Sequence, residues 1–192
     1  MTTSVKSPTT FANDNTAPFS GVAGWSTQSN AGASDNTYGT YTDRSANKSR
    51  GFKTTGYGFA IPVGATINGI EVNVERKGQT SSTCNDQFMR IVKGGVTGAT
   101  DKGVVTNWNT SEFIYTYGSP TDLWGETWTY SDINSATFGN AFSAAFQSGG
   151  FETAYIDHVE ITVHYTVAGG GGVTILQSST RGVERGVLRG SA

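Results

Sequence analysis

The chain has 192 residues, a formal net charge of −2, and only 15% charged residues. Ser, Thr, Asn and Gly account for 85 residues and Leu for three. This scarcity of strong helix formers excludes a helical protein, and Val, Ile, Thr and aromatic residues supply strand formers instead. The near-neutral balance argues against a general nucleic-acid binder, which needs clustered basic residues.

The chain also lacks several targeting and covalent features. No apolar run reaches membrane length. The N-terminal segment contains no apolar core of the kind that a secretory signal requires. A lone cysteine, Cys84, excludes an intramolecular disulfide framework and a cysteine-based zinc site.

Three zones follow one another along the chain. Residues 1–20 are polar and aperiodic and contain two prolines, which predicts an N-terminal arm. Residues 21–168 carry strand patterns and form the predicted body. Residues 169–172 are four glycines, which predict a flexible linker, and residues 173–192 form the predicted anchoring tail.

Alternation of apolar and polar residues predicts the strands of the body. Between Thr66 and Arg76, Ile70, Val72 and Val74 share one face and polar residues occupy the other. Further strands are predicted at residues 88–93, 111–117, 138–146 and 154–167, with one helical turn at 129–134 capped by Thr129 or Ser131. Seven or eight short strands with Gly-rich turns predict an all-β, two-sheet antiparallel sandwich, jelly-roll-like, with extended N- and C-terminal arms. Strand count alone does not separate this architecture from a closed barrel.

The last predicted strand has the longest alternation. The predicted apolar face carries Tyr155, Val159, Ile161, Val163 and Tyr165, and the polar face carries His158, Glu160, Thr162 and His164. Asp157 has the parity of the apolar set, so either its carboxyl is buried with hydrogen-bond partners or the strand begins after it.

No residue pattern predicts catalysis, a metal or a cofactor. His158 and His164 stand about 20 Å apart on one strand face, too far to share a metal, and we interpret both as exposed. Two carboxylate pairs suit glycoside hydrolysis, namely Glu71 with Glu75 and Asp157 with Glu160. Charged residues that are simply solvated are the ordinary interpretation of such pairs. Asp35, Asn36 and Asp43 offer oxygen ligands for calcium, but turn residues of this kind are common without a metal.

Aromatic residues near predicted loops and strand ends offer a second type of site. The candidates for a glycan platform are Trp108, Trp124, Trp128 and Tyr117. Because a sandwich with three leucines must fill its core with aromatic residues, packing inside the body or between subunits is the favoured interpretation.

The tail has a regular Arg-Gly spacing. Arg181, Arg185 and Arg189 are each followed by glycine, which disfavours a helix and predicts an extended arm. The body to residue 168 has a net charge of −4 and the tail +2, so the tail suits docking onto an acidic neighbour. The predicted partner contacts are Arg181, Arg185 and Arg189, with Val183, Val187 and Leu188 adding apolar burial.

Five segments of the body carry a resemblance to a known domain. They are residues 34–38, 57–72, 122–128, 132–134 and 157–163. Together they resemble a β-sandwich domain that recurs in structural proteins of tailed phages, and the resemblance covers residues 21–168. It implies a component of the virion surface, such as a capsid decoration (cement) protein, a head fibre or a tail-fibre module, and it brings no catalytic residues.

We therefore expect a non-enzymatic virion protein that is made in the host cytoplasm and decorates the assembled shell. The expected partner is the major capsid protein or another virion protein, with no nucleic acid and no membrane. The expected oligomer is a trimer, because the resemblance implies a phage shell, which offers three-fold positions, and closed cyclic symmetry is usual for identical subunits. The alternative is a tail-fibre or receptor-binding head domain that recognises a surface glycan. A secreted carbohydrate-binding module ranks third and an enzyme last.

Overall fold

Two antiparallel sheets of five strands each face one another in this protein. The structure is a computed structural model that describes residues 1–19, 21, 23–44, 47–80, 83–147 and 150–167. The strands are β1 (Thr2–Lys6), β2 (Thr10–Asp14), β3 (Gly39–Arg44), β4 (Gly51–Thr55), β5 (Thr66–Gly78), β6 (Cys84–Lys93), β7 (Val96–Thr97), β8 (Phe113–Ser119), β9 (Gly139–Phe146) and β10 (Phe151–Thr166). A 3-10 helix at Gln28–Ala31 and a helix, α1, at Tyr130–Asn134 complete the elements.

The strand order is that of a jelly roll. One sheet, the first sheet, has the order β1-β10-β5-β8, with β3 also paired to β10, and the other, the second sheet, has the order β2-β4-β9-β6-β7. In chain order, the strands from β3 to β10 switch sheets at every step except from β6 to β7, which pair within the second sheet. This is the order of two interlocked Greek keys. This confirms the predicted all-β, two-sheet sandwich.

The core lies between the sheets and follows the predicted alternation. Ile70, Val72 and Val74 of β5 are fully buried, and Val159 and Ile161 of the neighbouring β10 lie against them in register. The predicted helical turn is also present. Thr129 caps α1, with its side chain accepting from the backbone of Asp132.

The N-terminal residues belong to the sandwich, so the prediction of an arm at residues 1–20 is wrong. β1 pairs with β10 along residues 161–165, and β2 pairs with the whole of β4. Both strands are short and mostly exposed, so they lack the alternation that marks a half-buried strand. They are held in the sandwich because they pair with the open edges of β10 and β4.

The last strand departs from its predicted faces at two irregularities. Register shifts lie between Ile156 and His158 and between His164 and Tyr165. At the first, the extra residue is Asp157 on β10, and it reverses the side-chain parity so that Tyr155 is half-buried. At the second, the extra residue is Asn68 on β5, and there His164 is buried and Tyr165 half-buried. The interpretation of His164 as exposed is therefore wrong. Asp157 lies inside the strand and is 1% exposed.

The predicted linker and tail, residues 169–192, lie outside the described residues. The tail contacts predicted at Arg181, Arg185, Arg189, Val183, Val187 and Leu188 therefore remain predictions. In the described part of the chain, no helix has the length and apolar character needed to cross a membrane.

Candidate functional site

β8 is an edge strand of the first sheet, on the side opposite β1 and β3. This strand pairs with β5 through Phe113 to Ser119, and within the described ranges no strand pairs with its other side. Phe113 and Ile114 are each 54% exposed, and they point to opposite faces because side chains alternate along a strand. The edge is therefore uncovered and apolar.

A half-open cavity of about 180 Å³ adjoins this edge. Its lining consists of Arg76, Thr106, Asn107, Trp108, Asn109, Phe113 and Tyr115. The same face of β8 continues into the core, where Tyr117 is buried. The cavity thus lies at the border of the core, where the second sheet no longer covers the inner face of the first sheet. The Oδ1 atom of Asn107 is buried there and has no hydrogen-bond partner in the described structure.

A buried ion pair supports the cavity wall. The Arg76 guanidinium donates to the Asp86 carboxylate, and both side chains are almost completely buried. The Trp108 indole and the Tyr117 hydroxyl each donate to the same carboxylate at 2.8 Å, and the guanidinium lies 4.3 Å from the Trp108 ring centroid. Burial raises the pKa of Asp86 above its usual value, against the lowering effect of Arg76. Asp86 thereby fixes Arg76, Trp108 and Tyr117 in place.

Three carboxylates gather at the start of β8, on Glu75, Glu112 and Asp157, with one oxygen of each within 4.8 Å of the others. Oxygen ligands at this spacing could hold a divalent cation. Lys77 lies 3.9 Å from Glu112 and partly balances the charge. Burial raises the pKa of Asp157, and the charges of Glu112 and Glu75 raise it further, against the lowering effect of a backbone donor from Asp35. The repulsion among the three carboxylates can therefore be relieved in two ways, by a bound cation or by a proton on Asp157.

The two histidines occupy separate hydrogen-bonded sites. His164 contacts the Glu71 carboxylate at 2.6 Å, and His158 contacts the Ser7 hydroxyl at 2.8 Å. In the described structure no carboxylate hydrogen-bonds to the His158 ring, whereas a serine–histidine pair in catalysis needs a third group to orient the base. Burial raises the pKa of the Cys84 thiol, which opposes formation of a nucleophilic thiolate.

The remaining polar candidates from the sequence serve local structure. Glu160 accepts from the Asn73 amide at 2.9 Å. Asp35 accepts from the backbone of Thr37 at 2.9 Å, as turn residues do. Asp43 accepts from Asn47 and from the backbone of Arg44. Asp35 and Asp43 thus each accept hydrogen bonds from residues near them in the chain.

The predicted glycan platform is not an exposed surface. Trp108, Trp124 and Tyr117 are 3%, 1% and 3% exposed, whereas a platform needs ring faces in solvent. Trp124 donates from its indole to the Ile70 carbonyl at 2.9 Å, and Trp128 is half-buried against Phe138. The prediction of a platform is wrong for the three buried rings, because the core uses them as its bulky residues.

The β8 edge and the acidic cluster beside it were not predicted from the sequence. One signal was available. Phe113 and Ile114 are consecutive apolar residues at the start of a predicted strand, so one of them had to face away from the core. Nothing in the sequence indicated that Glu75, Glu112 and Asp157 would meet, because they come from three different parts of the chain.

Comparison with known proteins gives fold likenesses at low identity. No family model matches the chain, and no curated protein matches it. A solved structure titled "CBM4 structure and function" has 14% identity and a TM-score of 0.36, covering 67% of this chain and 85% of that one. The N-terminal cellulose-binding domain of Cellulomonas fimi β-1,4-glucanase C has 10% identity and a TM-score of 0.33, covering 68% and 80%. These likenesses are too low to transfer a function.

Proposed function

We propose that this protein is a non-enzymatic structural component of a tailed-phage virion that binds the outside of the assembled capsid and stabilises it. The observation that carries this proposal is the resemblance of residues 21–168 to a virion domain. The segments of that resemblance build the fold in this chain. Tyr57, Phe59 and Ile61 are buried in the core, and Thr129 and Asp132 form the capping box of α1.

The arrangement of polar groups supports a binding role over a catalytic one. The buried ion pair of Arg76 and Asp86 and the contact between His164 and Glu71 hold the sandwich together. The first joins β5 to β6 across the two sheets, and the second joins β10 to β5 within the first sheet. A glycan-binding role in a tail fibre would need a surface other than the predicted ring platform, since three of its four rings are buried.

The partner is the major capsid protein or another virion protein, and the contact is multivalent. A docked body raises the effective concentration of a tethered tail at the shell surface. Arg181, Arg185 and Arg189 would pair with carboxylates of the neighbour, and such contacts weaken with salt. The protein is made in the host cytoplasm and ends on the virion as a trimer.

Cosedimentation with purified shells tests this function. The protein should bind shells that lack it and raise their resistance to heat. Replacement of Arg181, Arg185 and Arg189 by Glu should weaken binding at least tenfold, about 1.4 kcal/mol, and reduce its salt dependence. Replacement of the exposed Arg44 by Glu is the matched control in the body and should change binding little. Absence of cosedimentation of the unmodified protein with any shell preparation would rule the function out.

A further inference from the structure

We infer that the free edge of β8 binds residues 173–176 of a second copy of this chain as an added antiparallel strand. The inference concerns contacts between copies, so it does not depend on binding to a shell.

The edge of β8 lacks the protection that other sheet edges in this protein have. Sheet proteins guard open edges with charges, prolines or very short strands. β7 has two residues, β1 ends in Lys6 and β2 ends in Asp14. β8 has seven residues, Phe-Ile-Tyr-Thr-Tyr-Gly-Ser, with no charge and no proline. Such an edge is a template for another strand.

The chain itself contains a segment of matching chemistry. After β10 ends at Thr166, the sequence continues through four glycines to Val173-Thr174-Ile175-Leu176. β-Branched and apolar residues favour a strand. These four residues are followed by 16 more, among them three arginines and one glutamate, so the segment has an apolar part and then a basic part.

An antiparallel register matches the apolar residues of the two strands. With Val173 opposite Tyr117, Leu176 lies opposite the exposed Ile114. Ile175 then lies opposite Tyr115, which lines the cavity, and directly opposed residues share a face of the sheet. The added strand thus covers the apolar edge and presents an aliphatic side chain to the cavity mouth.

The charges of the two segments are complementary in this direction. An antiparallel strand runs towards the start of β8, where Glu112 meets Glu75 and Asp157. One carboxylate oxygen of Glu112 is buried and has no hydrogen-bond partner in the described residues. In this register Ser178 lies opposite Glu112, and Arg181 follows three residues, about 10 Å of extended chain, further along. The basic part of the tail therefore begins beside this acidic end.

The length of the linker favours a second copy over the same copy. Thr166 pairs with Thr66, and Tyr117 pairs with Val72. The position beyond Tyr117 therefore lies about 20 Å along the sheet from Thr166 and about 14 Å across it. The seven steps from Thr166 to Val173 span at most about 25 Å. This equals the straight-line distance from Thr166 to the position beyond Tyr117, so the linker is too short to go around β5 and β8.

When each copy passes its tail to the next copy and receives one from a different copy, the contact is head-to-tail. Such a contact closes into a ring when the rotation between copies permits it. A ring of three copies is the predicted trimer.

Solution self-association, measured by sedimentation without shells, tests the inference. The full chain should associate, and truncation after Gly172 should weaken association at least tenfold. Ile114→Lys should do the same, because a charge on the edge opposes strand addition. Val96→Lys, at an exposed apolar position on the edge of the second sheet, is the matched control and should associate as the parent does. Circular dichroism checks that each variant is folded.

A cysteine exchange identifies the partner segment. A mixture of the Ile114→Cys chain and the Leu176→Cys chain should form a covalent dimer under mild oxidation, and Val96→Cys with Leu176→Cys should not. A full chain that is monomeric at all concentrations, or a truncated chain that associates as tightly as the full one, would overturn the inference. Equal cross-linking by Val96→Cys would overturn it too. Shell binding is a separate measurement, so its failure would leave these outcomes unchanged.

Discussion

The fold holds the carboxyl group of Asp157 in a position that is unfavourable for its charged form. Its side chain is buried at a β-bulge, and burial and then the charges of Glu112 and Glu75 raise its pKa, with backbone donation from Asp35 opposing them. Because the folded-state pKa lies above the unfolded one, the folded protein holds the proton more tightly. The stabilising effect is fully present below the unfolded pKa and is lost as pH rises through the folded pKa.

We expect Asp157→Asn to raise the melting temperature at neutral pH and to flatten its decline from acidic to neutral pH. The amide oxygen can still accept from the Asp35 backbone, and the charge repulsion is gone. Thermal unfolding across pH in a chelating buffer measures this, with Glu160→Gln on the same strand as the control. A variant less stable than the parent at neutral pH would mean that the ionised carboxylate is required.

Arg76 is the residue on which the cavity wall depends. Its guanidinium is paired with Asp86 and stacked on Trp108. Removing one partner of a buried pair leaves the other as an uncompensated charge. The resulting loss of stability is far larger than the stability that the intact pair contributes.

We expect Arg76→Ala to lower the free energy of unfolding by about 3–5 kcal/mol. Arg44 is the matched control, because its guanidinium also lies over an aromatic ring, 4.7 Å from the Phe151 centroid, but is exposed. Arg44→Ala should cost less than about 1 kcal/mol. Denaturant unfolding compares the two variants. Equal effects would show that the Arg76–Asp86 pair has no special role.

At the scale of elements, alternation predicted the strands that are buried on one face. β5 follows its sequence pattern from Ile70 to Val74. β10 does not follow it throughout, because the bulge at Asp157 reverses parity between Tyr155 and Val159. A bulge depends on what packs above the strand, here the segment around Asp35, and no local pattern in β10 encodes that packing.

The N-terminal strands could not be predicted for a different reason. β1 has one half-buried residue among five, so it has no buried face to produce alternation. Its place is determined by the edge of β10, which β1 and β3 share end to end. Long-range edge pairing of this type is invisible to sequence periodicity.

Deletion of residues 1–6 should therefore lower stability by at least about 1 kcal/mol, since it removes the backbone bonds to β10. Truncation after Gly172 is the contrasting variant and should leave the melting temperature unchanged. Calorimetry under conditions where the full chain is monomeric compares them. If deletion of residues 1–6 leaves the stability unchanged, these residues do not contribute to the sandwich and behave as a detached arm. If the second unfolds the body, the tail belongs to the core.

For the whole molecule, the sequence allowed the sandwich and its jelly-roll character to be predicted but not the surface that meets a partner. The β8 edge becomes a site only because β5 lies on one side of it and the cavity beneath it. The acidic cluster at its start requires three distant segments to meet. Both features are products of the tertiary fold, so they could be found only once the fold was known.

We propose that this protein decorates a phage shell. The most direct measurement is a cryo-electron microscopy reconstruction of the particle whose genome encodes it. We expect density for the two-sheet sandwich on the outer capsid surface, grouped in threes, with an added strand beside β8. Density for the sandwich only at the tail tip, or particles that contain none of the protein, would contradict it.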